Sequence, residues 1–213
     1  DVSGSNYKNI IIKNSNQRLD NIGNNLKDKE ITIFGDSGFG LARGMCSGKI
    51  TLHGNTGKNA CSGMRGGSVY ILGSADDGFC CLPTSMNEGL VDGFIYVQKN
   101  VGNNSIIRMR RGNIVIGGAI GKNSCLELIS GSVTILGKIG SNFCKNGRRG
   151  TFFIKDKSIC KEYIEANDTD LTFYNFYKIK INSILKKNLL KSSSPKRYFG
   201  TKSNKQLVEL FIV

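Results

Sequence analysis

Short stretches of alternating apolar and polar residues recur along the first part of the chain at a nearly constant interval. Each stretch follows a glycine, and the successive glycines are 19, 26, 19, 19 and 19 residues apart: Gly48, Gly67, Gly93, Gly112, Gly131 and Gly150. Apolar residues stand two and four positions after each glycine, as Ile114 and Ile116 do after Gly112. Alternation with a period of two is typical of a half-buried β-strand. The pattern therefore predicts a series of short strands separated by turns.

The constant interval indicates a stacked repeat architecture. One short strand per repeat, with no helical periodicity between copies, is typical of a β-solenoid, in which each coil is buried only by its neighbours. Ile31–Ile33 begins one earlier copy, and Ile10–Ile12 suggests a degenerate copy before that. We predict an all-β fold: a right-handed parallel β-helix of about eight coils with a 19-residue repeat, the hand following the usual crossover rule.

The last quarter of the chain differs in composition from the repeats. Only one of the 27 glycines, Gly200, lies after Gly150. We therefore expect a glycine-rich β-helix over residues 1–154 and a C-terminal extension over 155–213. Within the extension, "NSILKKNLLK" (residues 182–191) predicts one short amphipathic helix, and "QLVELFIV" predicts a closing strand. We expect this extension to pack on the rod or on a partner, since open solenoid ends need capping.

The repeat assigns most cysteines and methionines to the interior. Cys61, Cys125 and Cys144 lie six residues before three of the marker glycines, and Cys80 takes the equivalent place in the coil with the insertion. A free cysteine packs as a small apolar side chain, so this column is interpreted as core filling, and so is that of Met45, Met64 and Met109. The single histidine, His53, cannot build a multi-histidine metal site.

Two features depart from the repeat. The first is a seven-residue insertion within "CLPTSMNEGLVDG" (residues 81–93), which is either a functional loop or simple decoration. The second is a set of arginines just before the strands: Arg65, Arg110, Arg111, Arg148 and Arg149. Stacked coils would align them as a ladder suited to carboxylates or phosphates, although a solvated basic face is the simpler alternative. The formal net charge of +14 agrees with an anionic partner.

Several segments resemble a known family. "MRRGNIVIGGAIG" (Met109–Gly121), "ISGSVTILGKIG" (Ile129–Gly140) and "RRGTFFI" (Arg148–Ile154) are similar to the glycine-repeat β-helical subunit of formylmethanofuran dehydrogenase, and more so to the related subunit of the bacterial formyltransferase/hydrolase complex. The insertion resembles that family's Pro-Gly-Ser-Arg-x-Gly-Met loop. The stretch "PKRYFGTKSNKQLVEL" resembles its closing Arg-Tyr-x-Gly-Asp…Gly-Glu motif, with Thr201 in place of the aspartate.

The resemblance implies a non-catalytic β-helical subunit of a heteromeric complex. The implied partners are an amidohydrolase-like subunit, a formyltransferase subunit and a molybdopterin-type subunit. Such a complex moves a formyl group from a tetrahydromethanopterin carrier through a furan-type coenzyme, methanofuran or methylofuran, to formate during formaldehyde oxidation in methylotrophs. The resemblance implies no cofactor bound by this chain alone, but the glutamate tail of the shared coenzyme is a plausible ligand for the arginines.

The loop and tail motifs imply contacts with those partners. The residues that carry over are Pro83, Ser85, Glu88, Gly200 and Glu209. This sequence departs from the family in lacking the loop arginines and in having Lys99 where a corner glycine is usual.

Other functions stay open. The equivalent β-helical subunit of a molybdenum- or tungsten-dependent formylmethanofuran dehydrogenase has the same implied fold, and so does the C-terminal domain of glutamate synthase. A basic module for polyanions such as nucleic acid is a further alternative, but the aromatic residues form no interleaved stacking platform.

No run of 18 apolar residues and no export signal is present, which predicts a cytoplasmic protein with reduced cysteines and no membrane span.

Overall fold

The structure is a computed structural model that describes residues 8–84, 86–166, 170–202 and 206–213. Eight successive strands pair in parallel, one per coil, and form a solenoid of about eight turns. They are β1 (Asn9–Ser15), β2 (Glu30–Gly35), β3 (Lys49–His53), β4 (Ser68–Ile71), β5 (Phe94–Val97), β6 (Asn113–Ile116), β7 (Ser132–Ile135) and β8 (Arg149–Ile154). The predicted all-β parallel solenoid is confirmed.

The strands stack in the register that the repeat predicts. Ile114 pairs with Val133 one period later, and Val69 pairs with Ile95 across the insertion. The seven extra residues therefore leave the sheet as a loop without shifting the ladder. The first coil, suggested by Ile10–Ile12, is a true coil, since Ile10 pairs with Ile31.

The interior of the solenoid is filled by the periodic apolar side chains. Ile50, Leu52 and their equivalents in later coils have no exposed surface. The cysteine column is also inside, because Cys61, Cys80 and Cys125 are fully buried and Cys144 is 1% exposed. All seven cysteines are free thiols. The interpretation of the cysteine and methionine columns as core is thus confirmed.

The C-terminal extension continues the sheet beyond the last coil. After a 3₁₀ segment (Lys157–Glu162) come β9 (Tyr163–Glu165), helix α1 (Thr172–Leu185), β10 (Lys196–Thr201) and β11 (Leu207–Ile212). Strand β11 adds in parallel to β8, β10 pairs antiparallel to β11, and β9 pairs antiparallel to β10. Tyr163 and Val208 join the solenoid core. The division at residue 154 stays a prediction.

Helix α1 does not lie where the sequence pattern predicted it. The expected helix covered residues 182–191, whereas α1 begins at Thr172 and ends at Leu185, with Lys186 in the left-handed conformation. The reason is tertiary packing: Tyr174, Tyr177 and Ile181 share one face and pack on the outer face of β5, β6 and β8. The Asn182 side chain then holds the following segment by accepting a 2.9 Å hydrogen bond from the Leu189 main chain.

Candidate functional site

The arginines of the repeat lie at the corner that precedes each strand. The main-chain N–H of Arg110 donates to Leu90, and that of Arg148 donates to Leu128 on the preceding coil. Arg65, Arg110 and Arg148 therefore occupy one column, separated by Val91 and Ile129. All three side chains are exposed. The column presents cations at every second coil rather than at every coil.

The insertion loop folds onto this arginine column. Glu88 of the loop accepts a 2.9 Å hydrogen bond from Arg110 Nη1, and the Asn87 carbonyl accepts one of 2.7 Å from Arg108 Nε. Arg108 also pairs with Glu127 at 2.9 Å. Glu88, predicted to contact a partner subunit, and Arg110, predicted to contact the coenzyme, thus form an ion pair with each other.

Arg148 borders a small cleft next to these ion pairs. The cleft has a volume of about 260 Å³ and is lined by Arg108, Glu127, Ile129, Asn146 and Arg148. Within the described part of the chain, Arg148 forms no ion pair, whereas Arg108 and Arg110 do. Arg148 is therefore more available to an external carboxylate than Arg110 is.

Arg149 borders a second cleft, which we call the hairpin cleft. Successive residues of an extended chain point to opposite sides, so Arg148 and Arg149 serve different surfaces. The hairpin cleft has a volume of about 380 Å³, and its lining includes Arg149, Phe173, Arg197, Phe199, Leu207 and Glu209. Arg197 Nε donates a 2.6 Å hydrogen bond to Glu209, whose other oxygen accepts one of 3.3 Å from Thr151.

The residues predicted to contact partners have contacts within the chain. Pro83 is buried, and a Cβ on Gly63 would lie 2.8 Å from its ring. Gly200 is buried with a φ of +67°. Glu88 and Glu209 are held by Arg110 and Arg197. Ser85 lies outside the described residues. The role of this set, and that of Arg65, Arg110, Arg111, Arg148 and Arg149, stays a prediction.

Sequence reasoning missed Arg108 and Glu127. The two residues are separated by 19 positions, which is one repeat, so the spacing alone would have placed them on neighbouring coils. The contact of Asn87 with Arg108 has no comparable signal, because the loop interrupts the repeat.

The buried thiols of Cys80, Cys125 and Cys144 are unsuited to nucleophilic chemistry near neutral pH. Burial raises the pKa of Cys144 to about 12 and also raises the pKa of Cys80 and Cys125 well above the usual range. A thiol must ionise to act as a nucleophile or metal ligand.

Among the residues with described positions, no group of three or more His, Cys, Asp or Glu side chains is placed to hold a metal ion. His53 stacks on Phe34 at 4.6 Å, at a coil corner.

No helix in the described ranges combines the length and the apolarity that a membrane crossing requires.

The chain is similar to a solved structure of known assembly. It superposes with a TM-score of 0.85 on a chain of the formyltransferase/hydrolase complex (FhcABCD) from Methylorubrum extorquens, crystallised in complex with methylofuran. The sequences are 27% identical, and the match covers 97% of this chain and 78% of that chain. No protein-family model and no curated protein matches the chain. The fold of this chain therefore matches a subunit of that complex, as the sequence resemblance predicted.

Proposed function

We propose that this chain is a β-solenoid scaffold subunit of a formyltransferase/hydrolase complex that handles formyl groups on a furan-type coenzyme. The observation that carries the proposal is the nearly full-length match to a subunit of that complex at 27% identity. The buried, protonated thiols suit a scaffold rather than a catalytic subunit. In this proposal the amidohydrolase-like, formyltransferase and molybdopterin-type subunits are the partners, and the complex works in one-carbon metabolism in the cytoplasm.

We further propose that the arginine column contacts the glutamate tail of the shared coenzyme. A row of carboxylates with regular spacing is complementary to cations repeated along the solenoid, and arginine binds carboxylates through two parallel hydrogen bonds. Arg148 is the principal contact, because it forms no ion pair among the described residues and borders the small cleft beside the column. Arg110 is engaged by Glu88 and would contribute less, while Arg65 extends the column and Arg111 occupies the position next to Arg110.

Affinity purification of this chain from its source cell tests the subunit role. Affinity purification on this chain should recover an amidohydrolase-like subunit and a formyltransferase, identified by mass spectrometry. Recovery of iron–sulfur and molybdenum or tungsten subunits instead would contradict the hydrolytic assignment. Recovery of the chain with nucleic acid that is released by raised salt would favour the polyanion module, because such binding weakens steeply with salt.

The coenzyme contact is tested with the variant Arg148→Ala in the assembled complex. We expect the affinity for an oligo-γ-glutamate probe to fall about 10-fold or more, in line with the loss of about 1.5–3 kcal/mol for a hydrogen bond to a charged group. Glu88→Gln should tighten binding, because it frees Arg110. Arg18→Ala, an exposed arginine at the opposite end of the solenoid, is the control. Unchanged affinity in Arg148→Ala would contradict the contact.

A further inference from the structure

The C-terminal extension exposes an unusual amount of apolar surface. Among the described residues, eleven large apolar side chains are exposed, and seven of them lie beyond residue 160. Six of those seven form what we call the tail apolar patch: Ile164, Phe173, Phe176, Ile179, Phe199 and Leu207. Their exposed fractions range from 44% for Phe173 to 70% for Ile179. Apolar patches of this kind on a folded protein mark interaction sites.

Helix α1 carries exposed apolar side chains beside the face that packs on the solenoid. Tyr174, Tyr177 and Ile181 pack on the solenoid, and Phe153 stacks on Tyr177 at 4.1 Å. Phe173, Phe176 and Ile179 follow each other at intervals of three residues, and their exposure rises along the helix from Phe173, which still contacts Phe153 and Tyr177, to Ile179. A surface helix normally turns its apolar side chains toward a packed surface. The solenoid covers one side of α1, so the other side is the place for a second partner.

The exposed residues of the helix and of the C-terminal strands form one surface. Phe173, Phe199 and Leu207 line the hairpin cleft together. Phe199 stands directly opposite Ile164 in the β9–β10 ladder. The patch therefore combines a ridge on α1 with a concave cleft, and the cleft has room for a side chain inserted by a partner.

The charges around the patch select the kind of partner. Residues 178–202 contain eight lysines and arginines and no acidic residue. Arg149 lies in the hairpin cleft and Lys180 lies on the exposed face of α1, and within the described ranges neither forms an ion pair. A second copy of this chain would bring the same basic rim against itself, which is unfavourable. The complementary surface has an apolar centre and a carboxylate rim.

We propose that the tail apolar patch is the docking surface for another protein subunit, which presents apolar side chains to α1 and a carboxylate to Arg149 in the hairpin cleft. This inference rests on the proposed role as a subunit of a heteromeric complex. The concave cleft favours a protein over a lipid surface, because an inserted side chain fills a defined cavity and a fluid bilayer surface does not. The apolar centre would supply most of the affinity, and the charges would supply orientation.

The test measures the binding of the full-length chain to the purified complex assembled without it. In Phe176→Glu and Ile179→Glu, a carboxylate replaces an exposed apolar side chain, so the fold should be retained, as circular dichroism and thermal unfolding would show. We expect the dissociation constant to rise at least 10-fold in each variant. Phe34→Glu is the matched control, because Phe34 is 43% exposed and lies on β2, far along the sheet from α1. It should bind like the wild type.

The outcomes separate this inference from the proposed function. Wild-type binding that is unchanged in both variants overturns the docking surface and leaves the subunit role intact. Failure of the wild type to bind overturns the subunit role itself and the inference with it. Wild-type binding to vesicles with 30% anionic lipid that is lost in Phe176→Glu would assign the patch to a membrane instead. Self-association abolished by the same variant would assign it to a second copy.

Discussion

At the scale of single residues, the corners of the solenoid require the left-handed backbone conformation, and many residues other than glycine adopt it. The inward column of Ala42, Cys61, Cys80, Ile106, Cys125 and Cys144 has φ between 51° and 59°. The outward corners Asn104, Asn123 and Asn142 have similar φ values, and their side chains are linked in a hydrogen-bonded ladder. Asparagine tolerates this conformation well, but isoleucine does not. Close stacking of the coils holds these residues in it.

Glycine is required where a corner also touches the preceding coil. Gly48 has a φ of +93°, and a Cβ there would lie 2.2 Å from the Lys29 carbonyl oxygen. We expect Gly48→Ala to lower the free energy of unfolding by about 1–3 kcal/mol, measured by urea denaturation. Lys186→Gly is the control, because Lys186 is exposed, ends α1 in the left-handed conformation and should accept glycine without loss. Equal stability of Gly48→Ala and the wild type would contradict this account.

The buried thiols predict a loss of stability at alkaline pH. The pKa of Cys144 is raised from an ordinary value of 9.0 to about 12, so between these pH values the unfolded state binds fewer protons than the folded state. Stability therefore falls as pH rises through this window, by up to about 1.4 kcal/mol per pH unit for one thiol. The slope of unfolding free energy against pH should be shallower in Cys144→Ala than in the wild type. Identical slopes would exclude a contribution from this thiol.

At the scale of elements, helix α1 depends on the surface beneath it. The N-cap residue Leu171 forms no side-chain capping hydrogen bond, the first turn contains no acidic residue, and Asp170 accepts a single 2.9 Å hydrogen bond from the Thr172 main chain. Such a helix has little stability of its own and forms because it packs. The packing centres on Tyr177, which stacks on Phe153 and shares a 3.1 Å hydrogen bond with Thr134.

Removing the Tyr177 side chain should release α1 from the solenoid. We expect Tyr177→Ala to destabilise the docked helix by about 3–5 kcal/mol, since the loss is that of a large, fully packed aromatic residue. Limited proteolysis should then cut within residues 172–185, while the solenoid keeps its β-type circular dichroism. Phe176→Ala, on the exposed face of the same helix, should leave the cleavage pattern unchanged. A protease-resistant helix in Tyr177→Ala would contradict the role given to this residue.

At the scale of the whole molecule, stability is distributed over interfaces between neighbouring coils. Each coil contacts only the coils on either side, so one coil can take the place of another when a whole 19-residue period is removed. Deletion of residues 49–67 removes one period and joins Gly48 to Ser68, whose strand then pairs with β2 in place of β3. Gly44, with a φ of +63°, takes the position of Gly63 at φ +64°.

We expect the 19-residue deletion to yield a folded, shorter solenoid with a lower unfolding midpoint. A deletion of residues 49–58 leaves a coil that lacks its strand, and it should fail to fold. Circular dichroism and size-exclusion chromatography distinguish the two products. An unfolded product from the 19-residue deletion, with the same behaviour as the shorter one, would argue against independent coils.

The sequence by itself determined the solenoid, its register and its core. A 19-residue period places like residues on neighbouring coils, so the burial of Ile50, Cys61 and Met64 follows from position alone. The same logic reaches Arg108 and Glu127, which are one period apart. The 19-residue spacing is enough to predict these contacts, because each of them joins adjacent repeats.

Only the tertiary structure decided how the non-repetitive segments meet the rod. The pairing of Glu88 with Arg110, of Arg197 with Glu209 and of β11 with β8 joins segments that share no period. The position of α1 likewise depends on its packing against Phe153 and its neighbours. The apolar pattern of residues 182–191 therefore predicted a helix that begins and ends too late in the chain. Contacts of this kind are set by the shape of the assembled solenoid, and that shape exists only after the coils have stacked.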